Sequence, residues 1–128
     1  MTFLKKTIID NQKIELYKLN GESFVDLPEN YQNEDIIKVC FLDLETTGTN
    51  KETCKIIEFA GKMTAIDKNN GELIGIIDQY QSFNDPEESI TSQITRITGI
   101  TNEDVKGHSL DWELISQMID KADIIVAH

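Results

Sequence analysis

Three strand-like segments joined by short polar links limit the possible fold more than any other feature of this chain. The segments are residues 36–44, 56–66 and 73–83. Each is rich in β-branched and aromatic side chains and is bounded by polar or turn-forming residues, including Asn69-Asn70-Gly71. Because short links bring the chain back beside itself, we expect the three strands to pair antiparallel.

A helical region and a last apolar run follow the three strands. Pro86 and the acidic residues after it are predicted to open the helical region, with Trp112 in the core. One helical face is predicted for Ile90, Ile94 and Ile97, and a second for Leu110, Leu114, Ile115, Met118 and Ile119. Residues 124–127 are an uninterrupted apolar run, typical of a buried parallel strand. Since a helical crossover returns the chain to a parallel strand, the order predicts an α/β mixed sheet.

The first 35 residues differ in character from the rest. Residues 13–19 alternate polar and apolar side chains, as a half-buried strand does. Asn20-Gly21 marks a tight turn, and Phe24 and Val25 are expected to form a short returning strand before a polar linker. We therefore expect a hairpin-like extension and linker at 1–35 and the main domain at 36–128.

The charge balance excludes nucleic-acid binding by overall charge. The chain has 12 basic and 23 acidic residues, a net charge of −11, whereas proteins that bind nucleic acid by charge are basic. Any such role needs a local site, where divalent cations offset the repulsion. The chain contains neither a membrane-length apolar stretch nor a signal peptide, so we expect a cytoplasmic location and no membrane partner.

The stretch FLDLETTG, residues 41–48, carries the chemistry. Asp43 and Glu45 are two residues apart, so a strand directs both to one face. Like charges on a partly buried face favour a hard divalent cation with oxygen ligands, although such pairs are also common where one member faces solvent. Thr46, Thr47 and Gly48 form a turn with donors suited to a sugar hydroxyl or phosphate. This combination points to phosphoryl chemistry with two metal ions.

Four stretches, in order, resemble the DnaQ-like 3′–5′ exonucleases of the DEDD family (DEDDh type), which includes the proofreading subunit of DNA polymerase III. FLDLETTG is similar to the family's first motif. The other three are IIEFAGKM at 56–63, ITRITGITNEDV at 94–105 and DIIVAH at 123–128, similar to the second strand, the "GIT" segment and the start of the second motif.

The resemblance implies a ribonuclease-H-like mixed sheet, with three antiparallel strands, helices and a strand parallel to the first. It implies hydrolysis of nucleoside monophosphates from single-stranded DNA or RNA 3′ ends, with two Mg²⁺ or Mn²⁺ ions. Asp43 and Glu45 match the catalytic metal ligands. The residues that match substrate-binding positions are Thr46, Thr47, Gly48, Ile97, Thr98, Gly99, Ile100 and His128.

The resemblance also has departures. The family's remaining aspartates and general-base histidine lie beyond the point that matches His128, and His108 does not match that base. We therefore expect an N-terminal portion truncated after the fourth core strand, inactive alone and self-associating through an uncovered sheet edge. The resemblance to a proofreading subunit also implies a DNA polymerase as a partner.

Two other functions remain open. One is a non-catalytic fragment or degenerate module that acts as an interaction surface. The other is a magnesium phosphohydrolase of the haloacid-dehalogenase type, whose strand-end motif is usually D-x-D. Glu45 and the GIT segment argue against this second alternative.

Overall fold

The computed structural model describes the backbone of residues 2–9 and 12–18 and the backbone and side chains of residues 24–127. Its elements, in chain order, are β1 (Thr2–Ile9), β2 (Gln12–Lys18), β3 (Ile36–Thr46), β4 (Ile56–Asp67), β5 (Leu73–Phe83), α1 (Ser92–Thr98), α2 (Asn102–Val105), α3 (Trp112–Asp120) and β6 (Ile124–Ala127). In this described part of the chain, every helix is too short or too polar to span a membrane.

The main sheet has four strands in the order β5-β4-β3-β6. Strand β4 pairs antiparallel with both β3 and β5, and β6 lies parallel to β3. The Asn-Asn-Gly turn between β4 and β5 ends at Gly71, whose φ of 74° suits a residue without a side chain. The predicted mixed sheet, with its helical crossover to a parallel strand, is confirmed.

Helix α3 covers one face of this sheet. Cys40 of β3 and Met63 of β4 are register partners, and both belong to a buried cluster that includes Met118 of α3. Leu42, two residues after Cys40, packs beside Ile115 of the same helix. Successive side chains of a strand alternate between its two faces. Phe41, which lies between Cys40 and Leu42, therefore points to the face opposite α3.

Local capping sets the ends of the helices, and it moves the first helix later than predicted. Helix α1 begins at Ser92 with Thr91 as its N-cap, so the predicted opening at Pro86 was wrong. Residues 86–91 bend instead, and Glu87 has a φ of 56°. Thr101 and Asp104 form a capping box at α2, and Asp111 caps α3.

Some predicted burial was also wrong. The single helical face predicted for Ile90, Ile94 and Ile97 does not form, because α1 begins at Ser92, after Ile90; Ile90 is buried and Ile97 is 72% exposed. Trp112 is 59% exposed at the first position of α3, and Leu110 fills the core place beside Ile115. The three large side chains of β6 are 42–49% exposed, since this strand lies at the sheet edge.

The N-terminal segment differs in part from its prediction. Strand β2 pairs antiparallel with β1, which precedes it, and not with Phe24 and Val25. Val25 and Leu27 instead lie along β5: Ile76 N–H donates to Val25 O (2.9 Å) and Leu27 N–H donates to Ile76 O (2.6 Å). The predicted Asn20-Gly21 turn lies outside the described residues. The domain boundary after residue 35 stays a prediction.

Candidate functional site

Asp43 and Glu45 lie on the sheet face opposite α3, near the carboxyl end of β3. Their register partners on β4 are Ala60 and Glu58. Asp43 is exposed and accepts a hydrogen bond from Leu44 N–H (3.1 Å), while Glu45 is half-buried. Both carboxylates therefore share one face, as the spacing predicted.

Glu58 brings a third carboxylate to this face, directly across from Glu45. Its Oε1 accepts a hydrogen bond from Gln81 Nε2 at 2.8 Å, which orients the carboxylate. Like charges directly opposite one another on a sheet are unfavourable, and a bound cation would remove that repulsion. The sequence did not predict Glu58 and Gln81 as site residues, because their position depends on strand register.

The donor chemistry of this face suits a hard divalent ion. Mg²⁺ is usually held by one or two carboxylates together with waters and substrate phosphates, and Asp43 and Glu45 supply that number. Within residues 24–127, no group of three or more His, Cys, Asp or Glu side chains is arranged to hold a metal ion. The pair therefore fits part of a metal site that needs further ligands.

An open groove of about 800 Å³ begins at Asp43 and runs across the same sheet. Phe41 and Lys62, which are register partners, line it together with Gln81 and Val126. Phe41 is 44% exposed, so the groove has an apolar surface beside Asp43. A volume of about 800 Å³ is within the range of small-molecule sites and is sufficient for a ligand of nucleotide size.

The turn at residues 46–48 uses several of its polar groups internally. Thr46 Oγ1 donates to Gly48 O at 2.6 Å, and Thr47 N–H donates to Lys55 O at 2.9 Å. Thr47 Oγ1 accepts from Lys55 N–H at 3.0 Å. A hydroxyl that accepts one hydrogen bond still has a proton to donate, so Thr47 retains a donor for a ligand. The substrate-binding role of this turn stays a prediction.

The segment at residues 97–100 lies near the same end of the sheet. Ile100 is buried in a cluster with Ile57 of β4, and the neighbouring Ile56 is the register partner of Thr46. Thr98 Oγ1 accepts from Ile100 N–H (3.1 Å), and Gly99 ends α1 with a φ of 80°. Within this segment, Ile97 is the residue with an exposed side chain, at 72%. Tertiary packing thus places Ile100 against Ile57, the residue that follows the register partner of Thr46 on β4.

Of the two histidines, His108 lies among the described residues. His108 packs edge-on against Phe83, with ring centroids 6.0 Å apart, and its carbonyl accepts from Asp85 N–H. The backbone N–H groups of Gly107 and Glu87 both donate hydrogen bonds to the Asp85 carboxylate and lower its pKa. The bond from Gly107 lowers it more. His128, predicted to bind substrate, lies outside the described residues.

Comparisons with known proteins agree with this geometry. The RNase_T family, described as exonuclease, matches residues 40–128. A DNA polymerase III of PolC type from Listeria innocua is 36% identical over 91 residues, which is 70% of this chain and 6% of that protein. The PolC-type polymerase of Halalkalibacterium halodurans is 45% identical over 65 residues, which is 51% of this chain and 4% of that protein. The chain thus spans a small part of these relatives.

Solved exonuclease structures have the same fold. E. coli exonuclease I in complex with a 5cy-dA13 oligonucleotide matches with a TM-score of 0.56 at 19% identity, covering 72% of this chain and 20% of that one. The nuclease domain of 3′hExo, a DEDDh family member bound to rAMP, matches with a TM-score of 0.50 at 20% identity, covering 75% and 54%. These likenesses establish the ribonuclease-H-like fold that the resemblance implied.

Proposed function

The chain belongs to the RNase_T exonuclease family, and on that premise we propose that it carries part of the active site of a 3′–5′ exonuclease. The reaction is hydrolysis of the last phosphodiester bond at a nucleic-acid 3′ end, which releases a nucleoside monophosphate. The observation that carries this proposal is the position of Asp43 and Glu45 on one open sheet face, at the end of β3 that leads into the 46–48 turn.

Asp43 and Glu45 hold two Mg²⁺ or Mn²⁺ ions in this proposal, together with ligands from outside the described residues. Such ions, when bound, activate water and stabilise the negative charge on the leaving oxygen. The ions that these carboxylates would hold also place positive charge where a phosphate must approach a protein of net charge −11. Without that charge the phosphate backbone would be repelled.

The 46–48 turn and the 97–100 segment bind the terminal nucleotide. The backbone of Thr46 and the hydroxyl of Thr47 meet the 3′-terminal sugar, and Gly48 lets the chain pass close to it. Exposed Ile97 makes apolar contact with the face of the terminal base, because an aliphatic side chain can pack against any base without reading its sequence. This arrangement selects a free single-stranded end and tolerates every base.

The named relatives support a partner and a substrate class. Two are PolC-type DNA polymerases, which supports proofreading beside a DNA polymerase. One solved neighbour is a 3′-exonuclease that recognises a histone mRNA stem-loop, so RNA stays a candidate substrate beside DNA. A cytoplasmic location remains a prediction from the sequence.

The isolated 128-residue polypeptide is proposed to cleave slowly or not at all. Two carboxylates hold metal weakly when the remaining ligands are solvent, so both ions are rarely bound together. The alternative role, an interaction module, is favoured by exposed Ile124, Ile125 and Val126 on the edge strand β6. If the chain self-associates through that edge, its weight-average mass in light scattering should rise with concentration. A constant monomer mass would refute self-association.

Metal binding tests the proposed site directly. We expect Mn²⁺ to broaden the amide NMR signals of residues 43–48 before other signals, because paramagnetic broadening falls steeply with distance. Asp43→Asn and Glu45→Gln should each weaken Mn²⁺ binding at least about tenfold, since each removes a charged ligand. Glu52→Gln removes the same charge from the exposed adjoining loop and is the matched control.

Two results would contradict the proposed site. One is broadening centred away from residues 43–48, and the other is an equal loss of affinity in Glu52→Gln. Activity is tested separately on 5′-labelled single-stranded DNA and RNA with Mn²⁺. A 3′–5′ ladder that disappears in Asp43→Ala would support the exonuclease and refute the proposed inactivity of the isolated chain.

A further inference from the structure

Lys55 joins two parts of the candidate site through different ends of the same residue. At the backbone, Lys55 N–H donates to Thr47 Oγ1 (3.0 Å) and Lys55 O accepts from Thr47 N–H (2.9 Å). At the side chain, Lys55 Nζ donates to the carbonyl oxygen of Pro86 at 2.7 Å. The residue is therefore tied both to the 46–48 turn and to the chain that leads into α1.

The chain after Pro86 is itself held to the 97–100 segment. Ile90 N–H donates to Asn102 Oδ1 at 2.8 Å, and Asn102 Nδ2 donates back to Ile90 O at 3.4 Å. Ile90 also shares a buried cluster with Ile100. A shift of Pro86 relative to β4 would therefore be passed on to the 97–100 segment through packed and hydrogen-bonded groups.

The hydrogen bond to Pro86 is the stronger of the two side-chain interactions of Lys55. It is charge-assisted, short and partly buried, which makes it stronger than a neutral bond. The second partner, Glu88 Oε2, lies 3.7 Å from Nζ, and both side chains are nearly half exposed. Exposed ion pairs of this kind contribute little. The two contacts can be tested apart because different residues supply them.

We propose that Lys55 is a positioning residue that sets the distance between the 46–48 turn and the 97–100 segment, and thereby the fit of the 3′-terminal nucleotide. This inference rests on the proposed function, which assigns both segments to one nucleotide site. The ammonium group of Lys55 is directed to Pro86, so it acts on the nucleotide through the spacing of the two segments. Metal binding at Asp43 and Glu45 does not depend on that spacing.

The test measures two affinities for the same set of variants. Adenosine 5′-monophosphate and its deoxy form are titrated with Mn²⁺ present, and binding is followed by isothermal calorimetry. Mn²⁺ alone is titrated by NMR broadening of residues 43–48. The variants are Lys55→Met, which keeps the aliphatic stem, Lys55→Arg, which restores a charged donor, and Glu88→Gln, which keeps the bond to Pro86. Lys51→Met is the charge-matched control in the same loop.

Lys55→Met should weaken nucleotide binding about tenfold, the equivalent of one charged hydrogen bond, and leave Mn²⁺ affinity unchanged. Lys55→Arg should recover most of that loss. Glu88→Gln and Lys51→Met should stay within about twofold of wild type, because exposed charges contribute little. A purely structural role would not separate the two affinities in this way.

Each contrary outcome has a distinct meaning. Wild type that binds neither nucleotide overturns the proposed function and this inference with it. If wild type binds nucleotide and Lys55→Met binds it with equal affinity, only the positioning role is overturned. The positioning role also fails if Lys55→Met weakens Mn²⁺ and nucleotide equally, if Lys51→Met matches Lys55→Met, or if Lys55→Arg recovers nothing.

Discussion

Gly75 is the position at which a single added carbon should detach the N-terminal segment from the sheet. A Cβ atom at this residue would overlap the carbonyl oxygen of Val25 and lie 2.8 Å from Leu27 Cγ. The oxygen belongs to the backbone, so no side-chain rotation relieves the overlap. In Gly75→Ala we therefore expect the segment around Val25 and Leu27 to leave the edge of β5.

The size of the effect follows from what that segment contributes. Two backbone hydrogen bonds join it to Ile76, and their net contribution is about 1–3 kcal/mol in total. Leu27 packs against the core cluster that contains Ile36 and Ile77, and its partial burial adds about 1 kcal/mol. We expect the free energy of unfolding to fall by about 2–4 kcal/mol, or roughly 8–16 °C in melting temperature.

Urea unfolding and hydrogen exchange measure this effect together. The amides of Leu27 and Ile76 should exchange faster in Gly75→Ala. The protection of amides in the centre of β4 should fall only by the amount that corresponds to the lower free energy of global unfolding. Gly48→Ala is the control, because the nearest atom to its added Cβ would be Cys54 Cβ at 3.9 Å, an ordinary contact. Unchanged stability and unchanged exchange at Leu27 in Gly75→Ala would refute the close approach of the two segments.

Three further predictions concern the core, the thiols and the response to acid. Met118→Ala should lower the free energy of unfolding by about 2–5 kcal/mol, as a core truncation does, whereas Trp112→Ala should change it much less because Trp112 is exposed; equal losses in urea unfolding would contradict the packing of α3. Cys54 should react with Ellman's reagent in the native protein, while Cys40 should react only on unfolding, since burial and then the Asp78 charge raise the pKa of its thiol. The folded-state pKa of Asp85 is lowered below 3.8, so its contribution to stability is present above that pH and lost as the pH falls through the lower value. The free energy of unfolding should therefore fall less steeply in acid for Asp85→Asn than for wild type. Equal slopes of unfolding free energy against pH below pH 3.8 in the two proteins would refute this.

The three strands and their links could be predicted because their signals are local. Alternation, β-branched side chains and the Asn-Asn-Gly turn lie within a few residues of one another, and the structure has strands at Ile36–Thr46, Ile56–Asp67 and Leu73–Phe83. The caps that the structure shows at Thr101 and Asp111 also depend on local contacts, since each side chain bonds an amide two or three residues on. The same-face position of Asp43 and Glu45 follows from the strand period alone.

Errors arose where a long-range contact decided the outcome. Residues 13–19 read as a strand, but their partner proved to be Thr2–Ile9 and not Phe24 and Val25. Trp112 is as apolar as a core residue, yet the space beside Ile115 is filled by Leu110. Periodicity states that a side chain is suited to burial; it does not state which competing side chain is buried.

For the candidate site, the sequence alone determined the carboxylate pair, the turn after it and the family to which they point. Only the tertiary structure placed Glu58 opposite Glu45, brought Ile100 beside Ile57, and joined Lys55 to Pro86, 31 residues along the chain. The physical reason is the range of the interactions. Backbone geometry fixes the direction of neighbouring side chains within a few residues, whereas strand register and loop docking depend on the summed packing and hydrogen bonding of residues far apart in the chain.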